Sequence, residues 1–101
     1  YMLIYDDIIL KQLKKAAKDN NIKGILSKMF DKLEEKGPLA GELLDSRLFI
    51  YEIKNMRPPI RLYYRHDIIT NEIKIFEFEM KTSHDKQQRT IEKIRKKISE
   101  P

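Results

Sequence analysis

The sequence predicts an α+β domain, and three observations carry that prediction. Apolar residues recur at a helical period from Asp6 to Gly37, alternate at a period of 2 from Leu48 to Met80, and return to the helical period after Asp85. Glycine and proline gather at two places, Gly37-Pro38 with Gly41 and Pro58-Pro59, which mark the main turns. The length of 101 residues is that of one domain with a core of modest size. The expected order is a short N-terminal strand, an antiparallel helix hairpin, a three-stranded antiparallel meander and a C-terminal helix. Its helices would pack on one face of a small sheet.

Each element has a local reason. Residues 1–5 (Tyr-Met-Leu-Ile-Tyr) form a short apolar strand. Asp6 or Asp7 can cap a first helix, because a short carboxylate accepts the orphan N–H groups of the first turn. Along that helix Ile9, Leu13, Ala16 and Ala17 make one apolar stripe with lysines on the other faces. Asp19-Asn20-Asn21 breaks it. A second helix carries Ile22, Ile25, Leu26, Met29, Phe30 and Leu33 and stops at Gly37, and Gly24 weakens its first turn. Residues 48–54 are a strand with Phe49, Tyr51 and Ile53 on one face. After a turn at 55–59, residues 60–65 alternate, Ile60, Leu62 and Tyr64 against Arg61, Tyr63 and Arg65. A turn at 66–71 leads to a third strand from Ile73 to Met80. The last helix begins near Asp85, its expected N-cap, with Gln88 at N3 and a stripe of Ile91, Ile94 and Ile98.

Composition narrows the function classes. Hydrophobic residues make up 41% and charged residues 37%, which describes a heavily charged globule rather than a disordered tail. No apolar run reaches the ~20 residues that span a bilayer, and no signal-peptide pattern opens the chain, so a cytoplasmic protein is expected. The absence of cysteine excludes disulfides, thiolate chemistry and Cys-based zinc sites. Two histidines do not supply a His-rich metal site, and neither a metal nor a cofactor is expected. The balance of 21 Lys+Arg against 16 Asp+Glu gives a net charge of +5 and points to a polyanionic partner.

The second strand of the meander is the most informative segment. Arg61, Tyr63 and Arg65 project from one side, a set that can hold phosphates and stack a base. Lys54 and Arg57 flank it across the turn. Lys81, Thr82, Ser83, His84, Lys86 and Arg89 surround the start of the last helix, whose orphan N–H groups attract anions. Surface strands also carry Arg and Lys for solubility and edge protection, so the pattern alone admits both readings. His84 is either solvated surface or an acid–base group, and His66 is surface. Tyr64 is a core aromatic with its hydroxyl at the rim. Glu77 and Glu79 alternate on one strand but lack a third metal ligand. There is no triad spacing and no glycine-rich phosphate loop.

Three segments carry a resemblance: Leu-Phe-Ile-Tyr-Glu-Ile-Lys (48–54), Ile-Arg-Leu-Tyr-Tyr (60–64) and Phe-Glu-Phe-Glu-Met-Lys-Thr (76–82). In this order and spacing, after Leu-Glu-Glu-Lys-Gly-Pro-Leu (33–39) and a two-helix start, the chain resembles the RelE/HigB toxins, most closely the phage-derived HigB-like branch. The resemblance implies a RelE-like domain over residues 1–101. It also implies a type II toxin that enters the ribosomal A site and cuts translating mRNA. The implied reaction is metal-free, with the 2′-OH attacking the adjacent phosphate to leave a cyclic phosphate and a 5′-OH.

Position by position, Glu52 falls on the family's strand glutamate, Lys54 on a cation of the same strand, and Arg61 on an arginine thought to bind the scissile phosphate. Tyr64, Lys81 and Thr82 match the remaining motif positions. The implied catalytic set is Lys54, Arg61, Lys81 and His84, and the RNA-binding set is Arg57, Tyr63, Arg65, Lys86 and Arg89. Met80, Lys86 and Gln87 depart from the pattern, Gln87 where some relatives carry a catalytic tyrosine. A proton donor must then come from His84, Lys81 or Lys54. The implied partners are mRNA on the ribosome and a cognate antitoxin whose acidic or amphipathic segment wraps the basic face. A ParE-like gyrase inhibitor or a catalytically degenerate nucleic-acid-binding member would share the same fold.

Overall fold

The computed structural model describes residues 1–100. Its elements are β1 (Leu3–Tyr5), α1 (Asp7–Ala16), α2 (Asn20–Lys36), a 3₁₀ turn (Gly37–Ala40), β2 (Glu42–Asp45), β3 (Ile50–Asn55), β4 (Ile60–His66), β5 (Ile73–Met80) and α3 (His84–Ser99). The five strands form one sheet in the order β1-β5-β4-β3-β2. β1 runs parallel to β5, and the other neighbours are antiparallel. The α+β class, the helix hairpin, the meander and the C-terminal helix are therefore all present. None of the described helices is long and apolar enough to cross a membrane.

Capping chemistry explains the helix limits. Asp6 caps α1, its carboxylate accepting from the Ile8 N–H at 3.3 Å. Asp19 does more than break the first helix: it caps the second, accepting from the Asn21 and Ile22 N–H groups. Gly37, at φ 57°, ends α2 in a backbone conformation that side chains resist, and its N–H donates to the Leu33 carbonyl. At α3 the cap is Ser83, two residues earlier than expected, because its hydroxyl accepts from the Lys86 N–H at 3.2 Å. Asp85 instead lies inside the first turn, where its charge suits the helix dipole.

Two strand expectations change. β2 was not expected, since four residues interrupted by a bulge between Leu43 and Asp45 show no readable alternation. β3 begins at Ile50 rather than Leu48, because Phe49 sits at φ 57° and turns the chain into the strand. Tyr51 and Ile53 do share a face.

The larger correction concerns the layers. α1 and α2 cover one face, where Ile9, Leu26, Met29 and Leu33 pack on Ile53, Ile60, Leu62, Tyr64, Ile73 and Ile75. α3 lies on the opposite face, with Ile91 and Ile94 over Ile50, Tyr63 and Phe76, and Leu44, Leu48 and Ile98 at the margin. A β-bulge makes this second core possible. Tyr63 opposes Glu77 while Tyr64 opposes Ile75, so Phe76 is an extra residue. The strand's alternation is thereby shifted, and Phe76 and Glu77 both serve the α3 side.

One contact ties α3 to the far edge of the sheet. Asp45 accepts from the Arg95 guanidinium at 2.8 Å and from the Arg47 and Leu48 N–H groups. The Arg95 bond, with the two backbone donors, holds its carboxyl below the usual carboxylate range. A depressed folded-state pKa stabilises the protein above the unfolded value of ~3.9, and that contribution is lost as pH falls through the folded value. Asp45→Asn should cost about 1–2 kcal/mol at neutral pH, and the gap to the parent should narrow as pH falls below the unfolded carboxylate value, as read by urea unfolding across that range.

Candidate nucleic-acid interface

The register of three strands builds the site. Lys54 opposes Arg61, Glu52 opposes Tyr63, and Arg61 opposes Glu79. All five project from the α3 side of the sheet, beside the first turns of that helix. Glu52 is 3% exposed, and a buried carboxylate is tolerated only with strong partners. It has them. Nη1 of Arg61 lies 2.9 Å from both of its oxygens, and the Gln87 side-chain amide donates to Oε2 at 2.7 Å. Nζ of Lys54 stands 3.9 Å from Glu52 and 3.8 Å from Glu42. Arg61 remains about one-third exposed, so its guanidinium spans the buried carboxylate and the solvent.

The cationic rim follows from the same register. Ile60 opposes Met80, and the Lys81 N–H donates to the Pro59 carbonyl at 3.1 Å. This brings the 55–59 turn and the 81–83 loop to one end of the sheet. Lys54, Arg57, Lys81, His84 and Lys86 are exposed there, with His84 one turn before Gln87 on the same helix stripe. Lys81 has φ 52°, the sharp reversal that leads into α3.

Other predicted residues are not brought to this end. Tyr63 is fully buried beneath Ile91 and Ile94, so its ring is core and cannot stack a base. Burial, followed by the nearby Glu79 and Glu52 carboxylates, pushes its hydroxyl well above the ordinary phenol range. That hydroxyl makes no hydrogen bond. Arg65 lies four residues along β4, roughly 13 Å from Arg61. α3 packs on Tyr63 between them, and Nε of Arg65 donates to the Leu48 carbonyl. Arg89 is exposed, but helical spacing turns it away from the Gln87–Ile91–Ile94 stripe. Tyr64 is a core aromatic as expected, stacked on Tyr51 at 5.3 Å with its hydroxyl on the Pro38 carbonyl.

Sequence reasoning gave no role to two central residues. Glu52 is a matched position only, and Gln87 only a departure, yet Glu52 holds Arg61 and Gln87 holds Glu52. The available signal was the spacing Glu52-x-Lys54 facing Arg61-x-Tyr63, which places an acid among the cations of one face. Tyr63→Phe removes a hydroxyl without a partner, so stability should hold or rise by about 0–1 kcal/mol in thermal unfolding. A loss of stability beyond that range would mean that the hydroxyl has a partner in solution.

A parallel β1 beside a meander, a helix hairpin on one face and a single helix on the other define a RelE-like fold. Solved structures share it. Isolated E. coli RelE toxin aligns with TM-score 0.69 at 19% identity, covering 93% of this chain and 98% of that one. A double mutant of E. coli RelE in the free state gives TM-score 0.72 at 18% identity over 93% of this chain and 97% of that one. The chain from the intact E. coli RelBE toxin–antitoxin complex gives 0.69 at 19% identity over 82% of this chain and 99% of that one. No protein-family profile matches the sequence, and no curated protein matches it significantly.

Proposed function

We propose that this chain is the toxin of a type II toxin–antitoxin pair, of the HigB-like branch, and that it cleaves mRNA on the ribosome in the cytoplasm. The observation that carries the reading is Arg61. It sits on the central strand of a RelE-like sheet, partly exposed, beside a carboxylate and within a rim of exposed cations. Arg61 contacts the scissile phosphate and the charge that grows on it. Lys54 and Lys81 add positive charge from either side, and Arg57 and Lys86 track the flanking backbone. Glu52, already within 2.9 Å of Arg61, is placed to accept the 2′-OH proton once the guanidinium turns to phosphate. His84 supplies the proton to the departing 5′-oxygen. The reaction uses no metal or cofactor, and a cognate antitoxin silences the site by covering the cationic rim. The RelBE structure, a toxin–antitoxin complex of the same fold, supports that partner.

A second reading, a ParE-like gyrase inhibitor, draws on the engagement of Arg61 by Glu52, which neutralises the cation a nuclease needs free. Primer extension on an mRNA in a purified translation reaction separates the two. Cuts within ribosome-occupied codons support the nuclease. Intact message at high protein concentration, with loss of gyrase supercoiling in parallel, overturns it.

A further inference from the structure

On the edge of β5 opposite β4, a side chain occupies a place where a strand belongs. The Gln12 amide donates to the Phe78 carbonyl at 2.9 Å, and the Phe78 N–H donates to Oε1 of Gln12 at 2.9 Å. A primary amide has the donor–acceptor pair of a peptide bond, so Gln12 imitates one residue of a neighbouring strand. β1 covers β5 only from Ile73 to Ile75. The main-chain groups of Met80 point the same way as those of Phe78, two residues on, and no protein group among the described residues takes them. Beside this open edge lies a groove of about 390 Å³ lined by Ala16, Ile22, Phe78 and Met80, with Lys15 and Asp19 at its mouth. Asp19 is committed to capping α2. Lys11 and Lys15, one helical turn apart and both exposed, leave the groove's outer wall positive. The opposite edge of the sheet lacks these features, because β2 is bulged and carries Glu42 and Asp45.

We infer that β5 accepts an added strand at Phe78–Met80: an extended, acidic peptide segment of a partner protein that displaces the Gln12 amide. Such a segment pairs its backbone with Phe78 and Met80, seats one apolar side chain between Ala16 and Ile22, and sets its acids against Lys11 and Lys15. Nucleic acid fits less well, since the groove is apolar and the edge offers alternating main-chain donors and acceptors. The inference stands apart from the nuclease reading, as it uses none of the residues of the cationic rim.

The test is an amide-resonance titration of the full chain with acetyl-Glu-Val-Glu-Leu-Glu-Val-Glu-amide. Saturable shifts are expected at the Gln12 side-chain amide, Phe78 and Met80, with Kd on the order of 0.1–1 mM. Gln12→Ala removes the competitor and should tighten binding about threefold, and Lys15→Glu should weaken it about threefold at low salt. A peptide N-methylated at alternate residues keeps the charge but loses the donors, so it should not bind. Equal binding of the N-methylated peptide would overturn the added strand. So would shifts that avoid Gln12, Phe78 and Met80, or the same shifts from oligouridylate but not from the peptide.

Discussion

On the proposed nuclease reading, Arg61→Ala is expected to lower the rate of ribosome-dependent cleavage by about 10²–10³-fold, the loss seen when a preorganised donor to a developing charge is removed. Arg61 is held in position by the strand pairing on both sides and by Glu52 beneath it, so its guanidinium is directed before substrate arrives. Lysine is a poor replacement, because a point charge lacks the planar fork that binds a phosphate bidentately. Truncation also strands the Glu52 carboxylate with only Gln87 and a distant Lys54. Arg61 is partly exposed, so the stability loss should be about 1–3 kcal/mol rather than that of a fully buried pair. The double variant Glu52→Gln/Arg61→Ala isolates the stability effect, since it leaves no unpaired buried carboxylate, and it should recover much of the lost stability in urea unfolding. Cleavage retained in the folded single variant would move the phosphate contact away from Arg61.

Much of the fold was legible because it rests on local patterns. The stripes of α1, α2 and α3 and the alternation of β4 are periodic over two or more turns or several residues, and tertiary contacts did not override them. What was not legible depended on partners distant in sequence. β2 exists because Glu42 and Leu43 pair with Glu52 and Tyr51. The second core exists because one extra residue, Phe76, shifts the face that β5 presents. Arg61, Tyr63 and Arg65 do share a face, as their alternation suggests, but α3 covers it, so that Tyr63 becomes core and Arg65 is separated from the site. The same limit applies to the candidate site. Exposed cations can be read one by one, whereas the Glu52–Arg61–Gln87 cluster joins two strands and a helix, and only the fold brings them together.

Gly41→Ala is expected to destabilise the protein by about 2–4 kcal/mol, although the local sequence marks this glycine only as part of a turn. Its backbone, at φ −136° and ψ −159°, is open to any residue, so the cause is not conformational. The cause is space: a Cβ there would overlap the Glu52 carbonyl oxygen and lie 2.8 Å from both the Glu52 carbonyl carbon and the Tyr64 hydroxyl oxygen. Neither neighbour can give way easily. The Glu52 backbone is locked between β2 and β4, and Tyr64 is fully buried with its hydroxyl on Pro38. The methyl group therefore has to lift β2 from β3, which also loosens Leu44 from the α3 core. Gly24 supplies the contrast, since it lies exposed in α2 with nothing within 4 Å of an added Cβ. Gly24→Ala should stabilise by about 0.5–1 kcal/mol through the helix and the unfolded chain. Urea unfolding of the pair should thus move the midpoint in opposite directions. Because Gly41 touches the strand that carries Glu52, Gly41→Ala should also reduce cleavage in any fraction that stays folded. Equal stability of both variants would show that β2 rests on β3 too loosely to fix the position of Glu52 beneath Arg61.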